Sequence, residues 1–211
     1  MGVRERIGSV RLIPVVTIAD SRAAVPLARA LLEGGIGAIE VTLRTPAAWD
    51  AAQAIAGEVP EMLLGIGTVL APAQLERCRS VGAAFIVSPG STPALRRAAR
   101  DVGLPYLPGV ASPSEAMAAR EDGFTELKFF PAEVAGGLVG LKHMAPLFDD
   151  LVFCPTGGVH AGNVRDFLAL PNVFAVGGSW MAPKPLIDAG DWAAIALKAR
   201  EAVALVADRP Q

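Results

Sequence analysis

The chain has 211 residues, of which 52% are hydrophobic and 19% are charged, and its mean hydropathy is +0.43. This composition excludes an intrinsically disordered chain, and the length allows one large buried core. The formal net charge of −2 offers no basic field, so nucleic acid and anionic membranes are not expected as partners.

Short apolar runs rich in β-branched residues alternate along the chain with alanine-rich stretches of helical character. The predicted strands are residues 12–17, 38–43, 62–67, 84–88, 104–108, 126–130, 151–155 and 173–177. The predicted helices are residues 23–33, 47–56, 72–81, 93–102, 113–121, 138–147, 163–169 and 192–207. Three helices are expected to start at a capping residue followed by proline, at Thr45, Thr92 and Ser112.

Strict alternation of strand and helix predicts a parallel sheet, because parallel strands need crossover connections. Eight such units with none left over favour an α/β fold of the closed (β/α)8 TIM-barrel type, occupying residues 1–211 as one domain. An open doubly wound sheet is the structural alternative. Its glycine fingerprint is incomplete here, because residues 65–70 (GIGTVL) have only two of the three glycines.

The sequence predicts a cytoplasmic protein. The first apolar run, residues 12–19, has eight residues, whereas a membrane-spanning helix needs about 20. Cys78 and Cys154 lie far apart in the chain, which argues against a disulfide scaffold and fits a reducing compartment.

Lys128 stands out among only four lysines, because it lies inside an apolar strand between Leu127 and Phe129. Strand alternation places its two neighbours against the helices and Lys128 inside the barrel. Desolvation of the ammonium there would favour the neutral amine, which is a nucleophile. A lysine held in an interior ion pair is the alternative. Lys184, in a Pro-Lys-Pro loop, is expected to be solvated, as are Lys142 and Lys198 on helices.

Glu40 is a carboxylate between Ile39 and Val41 in the second strand, and alternation turns it toward the barrel interior. With Lys128 it suggests a nucleophile and an acid/base group, although a structural salt bridge explains the two equally well. Arg44 follows that strand, and its planar guanidinium suits a carboxylate.

Two glycine-rich turns follow the seventh and eighth predicted strands, at residues 156–158 (TGG) and 177–179 (GGS). Barrel enzymes commonly hold a phosphate with these loops, so the turns together predict a phosphate site. A carboxylate clamp, an amine, a carboxylate and a phosphate site together describe a phosphorylated keto acid as substrate. No metal is expected, since His143 and His160 have no ligand spacing. His160 either contacts the phosphate loop or, the favoured alternative, lies at the surface or behind it.

Two segments, residues 35–44 (GIGAIEVTLR) and 123–132 (GFTELKFFPA), resemble the signature segments of the 2-keto-3-deoxy-6-phosphogluconate aldolases. The same family includes the 4-hydroxy-2-oxoglutarate aldolases. The resemblance extends from about residue 10 to residue 186. It includes residues 67–70 (GTVL), 88–90 (SPG), 154–158 (CPTGG) and 177–180 (GGSW).

The resemblance implies a class I aldolase on a (β/α)8 barrel that works without metal and is usually a homotrimer, and no cofactor is expected. It implies that Lys128 forms the Schiff base and that Glu40 is the general acid/base. The remaining implied substrate contacts are Arg44 and Thr68 for the pyruvyl carboxylate, Pro89 and Phe130 for the pyruvyl group, Thr156 for the hydroxyls, and Gly157, Gly158 and Ser179 for the phosphate.

Two alternatives stay open at the level of sequence. A sibling aldolase would act on the galactonate-derived epimer or on unphosphorylated 4-hydroxy-2-oxoglutarate. A barrel without activity would bind phosphorylated sugar acids as a regulator, but such a binder has no need of a desolvated amine paired with a carboxylate.

Overall fold

The protein is a (β/α)8 barrel, here described from a computed structural model that covers residues 2–8 and 10–207. Its strands are β1 (Leu12–Val16), β2 (Ala38–Thr42), β3 (Leu63–Gly67), β4 (Phe85–Val87), β5 (Tyr106–Leu107), β6 (Gly109–Val110), β7 (Glu126–Phe129), β8 (Val152–Pro155) and β9 (Val176–Gly178). Its helices are α1 (Val3–Ile7), α2 (Ala24–Glu33), α3 (Ala48–Glu58), α4 (Ala73–Ser80), α5 (Pro93–Val102), α6 (Pro113–Glu121), α7 (Gly137–Met144), α8 (Val164–Leu168), α9 (Lys184–Ala189) and α10 (Trp192–Ala207), with a 3₁₀ turn at Ser21–Ala23.

The parallel strands close into a ring. One sheet has the order β5-β4-β3-β2-β1-β9, and the other has the order β6-β7-β8. β5 and β6 flank Pro108 and act as two halves of one barrel strand, because proline has no N–H to donate to a ladder. Single parallel bridges, such as the one between Thr156 and Gly177, join the β8 side to the β9 side. The predicted barrel is therefore confirmed, and the open sheet is excluded.

Two apolar regions hold the barrel together. The larger one lies between the strands and the surrounding helices and includes Leu127 and Phe129. The smaller one fills the barrel interior at the amino ends of the strands, with Phe85 among its largest side chains. Gly65 on the next strand makes room for Phe85, because a Cβ on that glycine would collide with the phenyl ring. The interior is a packed core below the functional end of the barrel.

Helix α1 seals the amino end of the barrel. Val3 is fully buried and joins the interior core. The Glu126 carboxylate, on β7, accepts hydrogen bonds from the backbone N–H of Val3 at 2.7 Å and of Arg4 at 3.2 Å. Those two donors belong to the first turn of α1, where a helix has no internal partners for its N–H groups. Glu126 on β7 thus caps the amino terminus of α1.

Several sequence predictions need correction. Among the described residues the eight predicted units are present, with β5 and β6 as one strand, but two helices are additional: α1 precedes the first strand, and α9 lies between β9 and α10. The fifth strand does not end at residue 108 but resumes as β6 through Val110. Thr92 and Ser112 cap α5 and α6 as predicted. Thr45 does not cap a helix, because its hydroxyl donates to the carbonyl of Ile18 at 2.5 Å.

Both cysteines are free and buried. Among the described residues, no helix is both long enough and apolar enough to cross a membrane.

Candidate active site

Lys128 lies inside the barrel, as its place in the strand predicts. Its neighbours Leu127 and Phe129 are buried on the helix side of β7, and Lys128 is only 4% exposed on the opposite side. The ammonium Nζ donates to both carboxylate oxygens of Glu40, at 2.9 Å to Oε1 and 3.2 Å to Oε2. The two groups form a buried ion pair across the barrel.

Glu40 reaches Lys128 because β3 leaves it room. Ile39 and Val41 are fully buried against the helices, whereas Glu40, which is 3% exposed, turns its carboxylate toward the barrel interior. A Cβ on Gly67, on the neighbouring strand, would collide with Oε1 and with the carboxyl carbon of Glu40. The absence of a side chain at Gly67 is therefore a condition for the contact between Glu40 and Lys128.

The ion pair has the arrangement that an amine nucleophile and its base require. An ammonium has no lone pair to attack a carbonyl, so Lys128 must lose a proton before it reacts. Glu40 is within hydrogen-bond distance of that proton, which is the geometric condition for a general base. The sequence left open whether Lys128 and Glu40 form a structural ion pair or a catalytic pair, and the observed contact is compatible with both.

Cys154 is buried beside this pair, on the strand next to Lys128. Burial raises the pKa of the Cys154 thiol to about 12. A thiol with such a pKa is protonated at neutral pH, and the thiolate is the nucleophilic form. Lys128 is therefore a better candidate nucleophile than Cys154.

Phe130 lies above the amine, where β7 runs into the following loop. The Lys128 Nζ is 5.2 Å from the centroid of the phenyl ring, within the range of a cation–π contact. The ring is half-buried and borders the cavity described below. It gives the Lys128 amine one apolar wall.

Arg44 and Thr68 meet at the carboxyl ends of β2 and β3. The Arg44 Nε donates to Thr68 Oγ1 at 3.2 Å, and the arginine side chain is exposed. Thr68 has a φ of +58°, a left-handed conformation that is uncommon for a residue other than glycine. Pro89 follows β4 and is half-buried, with its backbone packed closely against Gly109.

The two glycine-rich turns come together at the same end of the barrel. Thr156 is buried and pairs with Gly177, while Gly157 and Gly158 both have positive φ, at +92° and +85°. The loop after β7 holds the first turn, because its Ala132 N–H donates to the carbonyl of Thr156 at 2.8 Å. Backbone turns of this type present N–H groups that can bind an anion.

A cavity of about 320 Å³ connects these groups. Among the predicted site residues it is lined by Arg44, Lys128, Phe130, Thr156, Gly157, Gly158 and Ser179. Glu40 contributes through its contact with Lys128, and Thr68 contributes through its contact with Arg44. Pro89 is not part of the lining.

A larger cavity of about 840 Å³ lies elsewhere, at the amino end of the strands, and is lined by residues such as Arg4, Arg11 and Phe174. Arg11 uses its guanidinium to bind backbone carbonyls, including that of Phe174 at 2.8 Å. This cavity contains none of the predicted site residues, so chemistry rather than volume identifies the functional site.

Lys184 lines the site, although its sequence context did not predict it there. Lys184 is not in a free loop but is the first residue of α9, and it lines the same cavity as Lys128. Lys142 is exposed on α7, whereas Lys198 is half-buried on α10. The sequence does contain a signal for Lys184: it lies only five residues after Ser179, in the segment that follows the last barrel strand. This segment lies at the carboxyl end of the barrel, where the predicted phosphate site is.

The histidines take little part in this site. His160 is exposed, and its Nδ1 accepts a hydrogen bond from the Gly162 N–H at 3.1 Å, outside the cavity lining. Within the part of the chain that the structure describes, no cluster of three or more histidine, cysteine or carboxylate side chains is arranged to hold a metal ion.

Known proteins share this fold and sequence over most of the chain. A 2-dehydro-3-deoxy-phosphogluconate aldolase of Pseudoalteromonas atlantica is 47% identical over 193 residues, which cover 92% of this chain and 90% of that protein. The crystal structure of a KDPG aldolase from Legionella pneumophila, with pyruvate captured as a covalent carbinolamine, matches with a TM-score of 0.91 and 41% identity. That match covers 93% of this chain and 96% of the other.

A second solved structure extends the comparison to a phosphorylated ligand. It is the 2-keto-3-deoxy-6-phosphogluconate aldolase of Zymomonas mobilis with 3-phosphoglycerate, at a TM-score of 0.88 and 40% identity, covering 96% of each chain. The family model described as KDPG and KHG aldolase matches residues 3–197. The resemblance seen in the motifs is confirmed, and the chain belongs to the KDPG and KHG aldolase family.

Proposed function

We propose that this chain is a class I aldolase that cleaves 2-keto-3-deoxy-6-phosphogluconate into pyruvate and glyceraldehyde 3-phosphate. The observation that carries the proposal is the buried Lys128 amine in direct contact with Glu40, at the floor of a cavity at the carboxyl end of the barrel. Membership of the KDPG and KHG aldolase family supports the same chemistry.

The reaction begins on Lys128. Glu40 accepts a proton from the ammonium, and the neutral amine attacks the C2 ketone of the substrate to give a carbinolamine. Glu40 then gives that proton to the C2 hydroxyl, which leaves as water, so that the iminium ion forms and Glu40 is again a carboxylate. The iminium draws electrons from the neighbouring carbons and so supplies the electron sink without a metal ion.

In the cleavage step Glu40 acts a second time. Glu40, directly or through a water molecule, removes the proton of the C4 hydroxyl, and the C3–C4 bond breaks. Its electron pair moves into the C2–C3 bond of an enamine, and glyceraldehyde 3-phosphate leaves. The enamine is then protonated at C3, and hydrolysis of the resulting iminium releases pyruvate and regenerates Lys128.

The remaining residues orient the substrate in this proposal. Arg44 and Thr68 hold the pyruvyl carboxylate, because a guanidinium and a hydroxyl lie together on one side of the cavity. Phe130 and Pro89 pack on the pyruvyl group. The other contacts are Thr156 with the substrate hydroxyls, and Gly157, Gly158 and Ser179 with the phosphate.

We also propose that the chain works in the cytoplasm, as one barrel domain over residues 1–211, and that it assembles as a homotrimer. The cytoplasmic assignment rests on its buried free thiols. The assembly rests on the family resemblance and on exposed apolar side chains such as Val134, which precedes α7, and Val139, which lies on α7; both suit burial against another copy.

A second candidate is a sibling specificity within the same family, whose name includes the 4-hydroxy-2-oxoglutarate aldolases. The values of kcat/KM for the gluconate-derived substrate, its galactonate epimer and 4-hydroxy-2-oxoglutarate separate these possibilities. We expect the highest value for the gluconate-derived substrate.

Borohydride reduction in the presence of pyruvate tests the covalent mechanism. We expect a pyruvate adduct on the peptide that carries Lys128 and on no other peptide. Lys128→Ala should lose both the adduct and cleavage, while Lys142→Ala, which changes an exposed lysine on α7, should keep both.

Two results would overturn the proposal. One is the absence of an adduct on Lys128, which is also the result expected of a regulatory protein that only binds sugar acids. The other is loss of cleavage on addition of a metal chelator.

A further inference from the structure

Lys184 borders the cavity on the side of the glycine-rich turns. It shares the lining with Gly157, Gly158 and Ser179, and it is held between two prolines, Pro183 and Pro185, at the start of α9. Proline fixes its own φ, so the backbone that carries the lysine is stiff. A long cationic side chain therefore extends from a fixed point on the rim.

The cationic side chains that line the cavity have different partners. Its described lining contains three cationic side chains, Arg44, Lys128 and Lys184, and no carboxylate. Lys128 is neutralised by the buried Glu40, and Arg44 contacts Thr68 on the other side of the cavity. Lys184 is the cation on the side of the glycine-rich turns, and its carboxylate partner, Asp188, lies outside the lining.

The present partner of Lys184 is Asp188, one helical turn away on the same helix. The side chains are 54% and 46% exposed, and their N–O distance is 2.5 Å. Exposed ion pairs of this kind contribute little free energy, because water screens both charges. A phosphate group carries more charge than a carboxylate and competes well for the same ammonium.

We propose that Lys184 is a specificity-determining residue that leaves Asp188 and binds the phosphate of the substrate. This inference rests on the proposed function and extends it. The glycine-rich turns supply neutral N–H donors, and Lys184 supplies the full positive charge that favours a phosphorylated keto acid over an uncharged-tail analogue. Lys184 does not contact the reacting carbon atoms, so it acts on binding and not on the covalent steps.

Steady-state kinetics on Lys184→Gln test the proposal. We expect KM for 2-keto-3-deoxy-6-phosphogluconate to rise about tenfold, which is a moderate value for loss of one charged hydrogen bond. The turnover number kcat should stay within about twofold of the wild-type value. Lys184→Arg keeps the charge and should restore most of the wild-type KM.

Pyruvate capture provides a readout that phosphate binding does not influence. The pyruvate concentration that gives half-maximal borohydride trapping should be the same in wild type and Lys184→Gln. The matched control is Lys142→Gln, which removes an exposed lysine outside the cavity lining and should leave both measurements unchanged.

Three outcomes would overturn the inference. The first is an unchanged KM in Lys184→Gln, and the second is a weakening of pyruvate capture in that variant as large as the rise in KM. The third is failure of Lys184→Arg to restore KM. None of them affects the proposed function, as long as the wild-type protein cleaves the substrate and forms the Lys128 adduct. Failure of the wild-type protein in those two assays would overturn the proposed function itself.

Discussion

The contact between Lys128 and Glu40 depends on a third residue that has no side chain. Gly67 on β3 pairs with Thr42 on β2, and a methyl group on Gly67 would occupy the space of the Glu40 carboxylate. Gly67 has no positive φ in this structure, so its backbone would accept an alanine. The requirement at this position is therefore one of space and not of backbone conformation.

Gly67→Ala should displace the Glu40 carboxylate from Lys128 and lower kcat by about 100-fold, in the range expected for loss of general acid–base catalysis. Glu40→Gln should cause a comparable or larger loss, because it removes the carboxylate that we propose as the base. The measurement is kcat in steady state together with the rate of pyruvate trapping.

Gly57→Ala is the matched control, because Gly57 lies on α3 with open space around the position of its Cβ. It should keep full activity and gain slightly in stability, since alanine is a better helix former than glycine. Wild-type kcat in Gly67→Ala would show that the contact is not needed for turnover.

At the scale of elements, a buried arginine ties neighbouring helices together. Arg96, on α5, is 6% exposed, and its Nε donates to the Asp122 carboxylate at 2.6 Å, just beyond the end of α6. Arg100 on α5 donates to the same residue, at 3.3 Å to Oδ1. The hydrogen bond from Arg96 is the main reason that the pKa of Asp122 lies below its ordinary value of 3.8.

Asp122→Asn should lower the free energy of unfolding by about 1–2 kcal/mol at neutral pH, since it removes the charge from hydrogen bonds to two guanidinium groups. Because the native pKa is lowered, the contribution of the wild-type carboxylate is complete well above pH 3.8. It is lost as the pH falls below that value and the native carboxylate becomes protonated.

Urea unfolding of wild type and Asp122→Asn at several pH values measures this difference. Asp101→Asn, at an exposed site on α5, is the control and should be nearly neutral. A stability difference that stays constant down to pH 2 would contradict the assignment.

The order of strands and helices could be predicted from the sequence because it depends on local patterns. The run that became β2 has one charged residue, Glu40, and the run that became β7 has two, Glu126 and Lys128, which alternate with apolar residues and so marked the interior face. The break at Pro108, the absence of a cap at Thr45 and the rim position of Lys184 depend on neighbours distant in sequence. The Thr45 hydroxyl, for example, donates a hydrogen bond to the carbonyl of Ile18, which lies two residues after the end of β1.

At the scale of the whole molecule, the two ends of the barrel have different tasks. Glu126 and Lys128 lie two residues apart on the same face of β7, but Glu126 binds helix α1 at the amino end and Lys128 borders the cavity at the carboxyl end. In barrels of this kind, the carboxyl end holds the chemistry and the amino end contributes stability. Strand β7 thus connects helix α1 at the amino end to the candidate active site at the carboxyl end.

Glu126→Ala should therefore lower the free energy of unfolding by about 1–3 kcal/mol, because two N–H groups of α1 lose their acceptor. The value of kcat should stay close to that of the wild type at temperatures where the variant is folded. Thermal unfolding and steady-state kinetics on the same preparation provide the two measurements. A large fall in kcat without a fall in stability would contradict this division between the ends.

The pairing of Lys128 with Glu40 also makes the active centre a late product of synthesis. The two residues are 88 positions apart, and they meet only across a ring whose last strands follow Lys128 in the chain. Contacts of such long sequence separation form slowly, because loop closure must precede them. We therefore expect that the proposed Schiff base on Lys128 forms only after the last strands have been synthesised and the ring has closed.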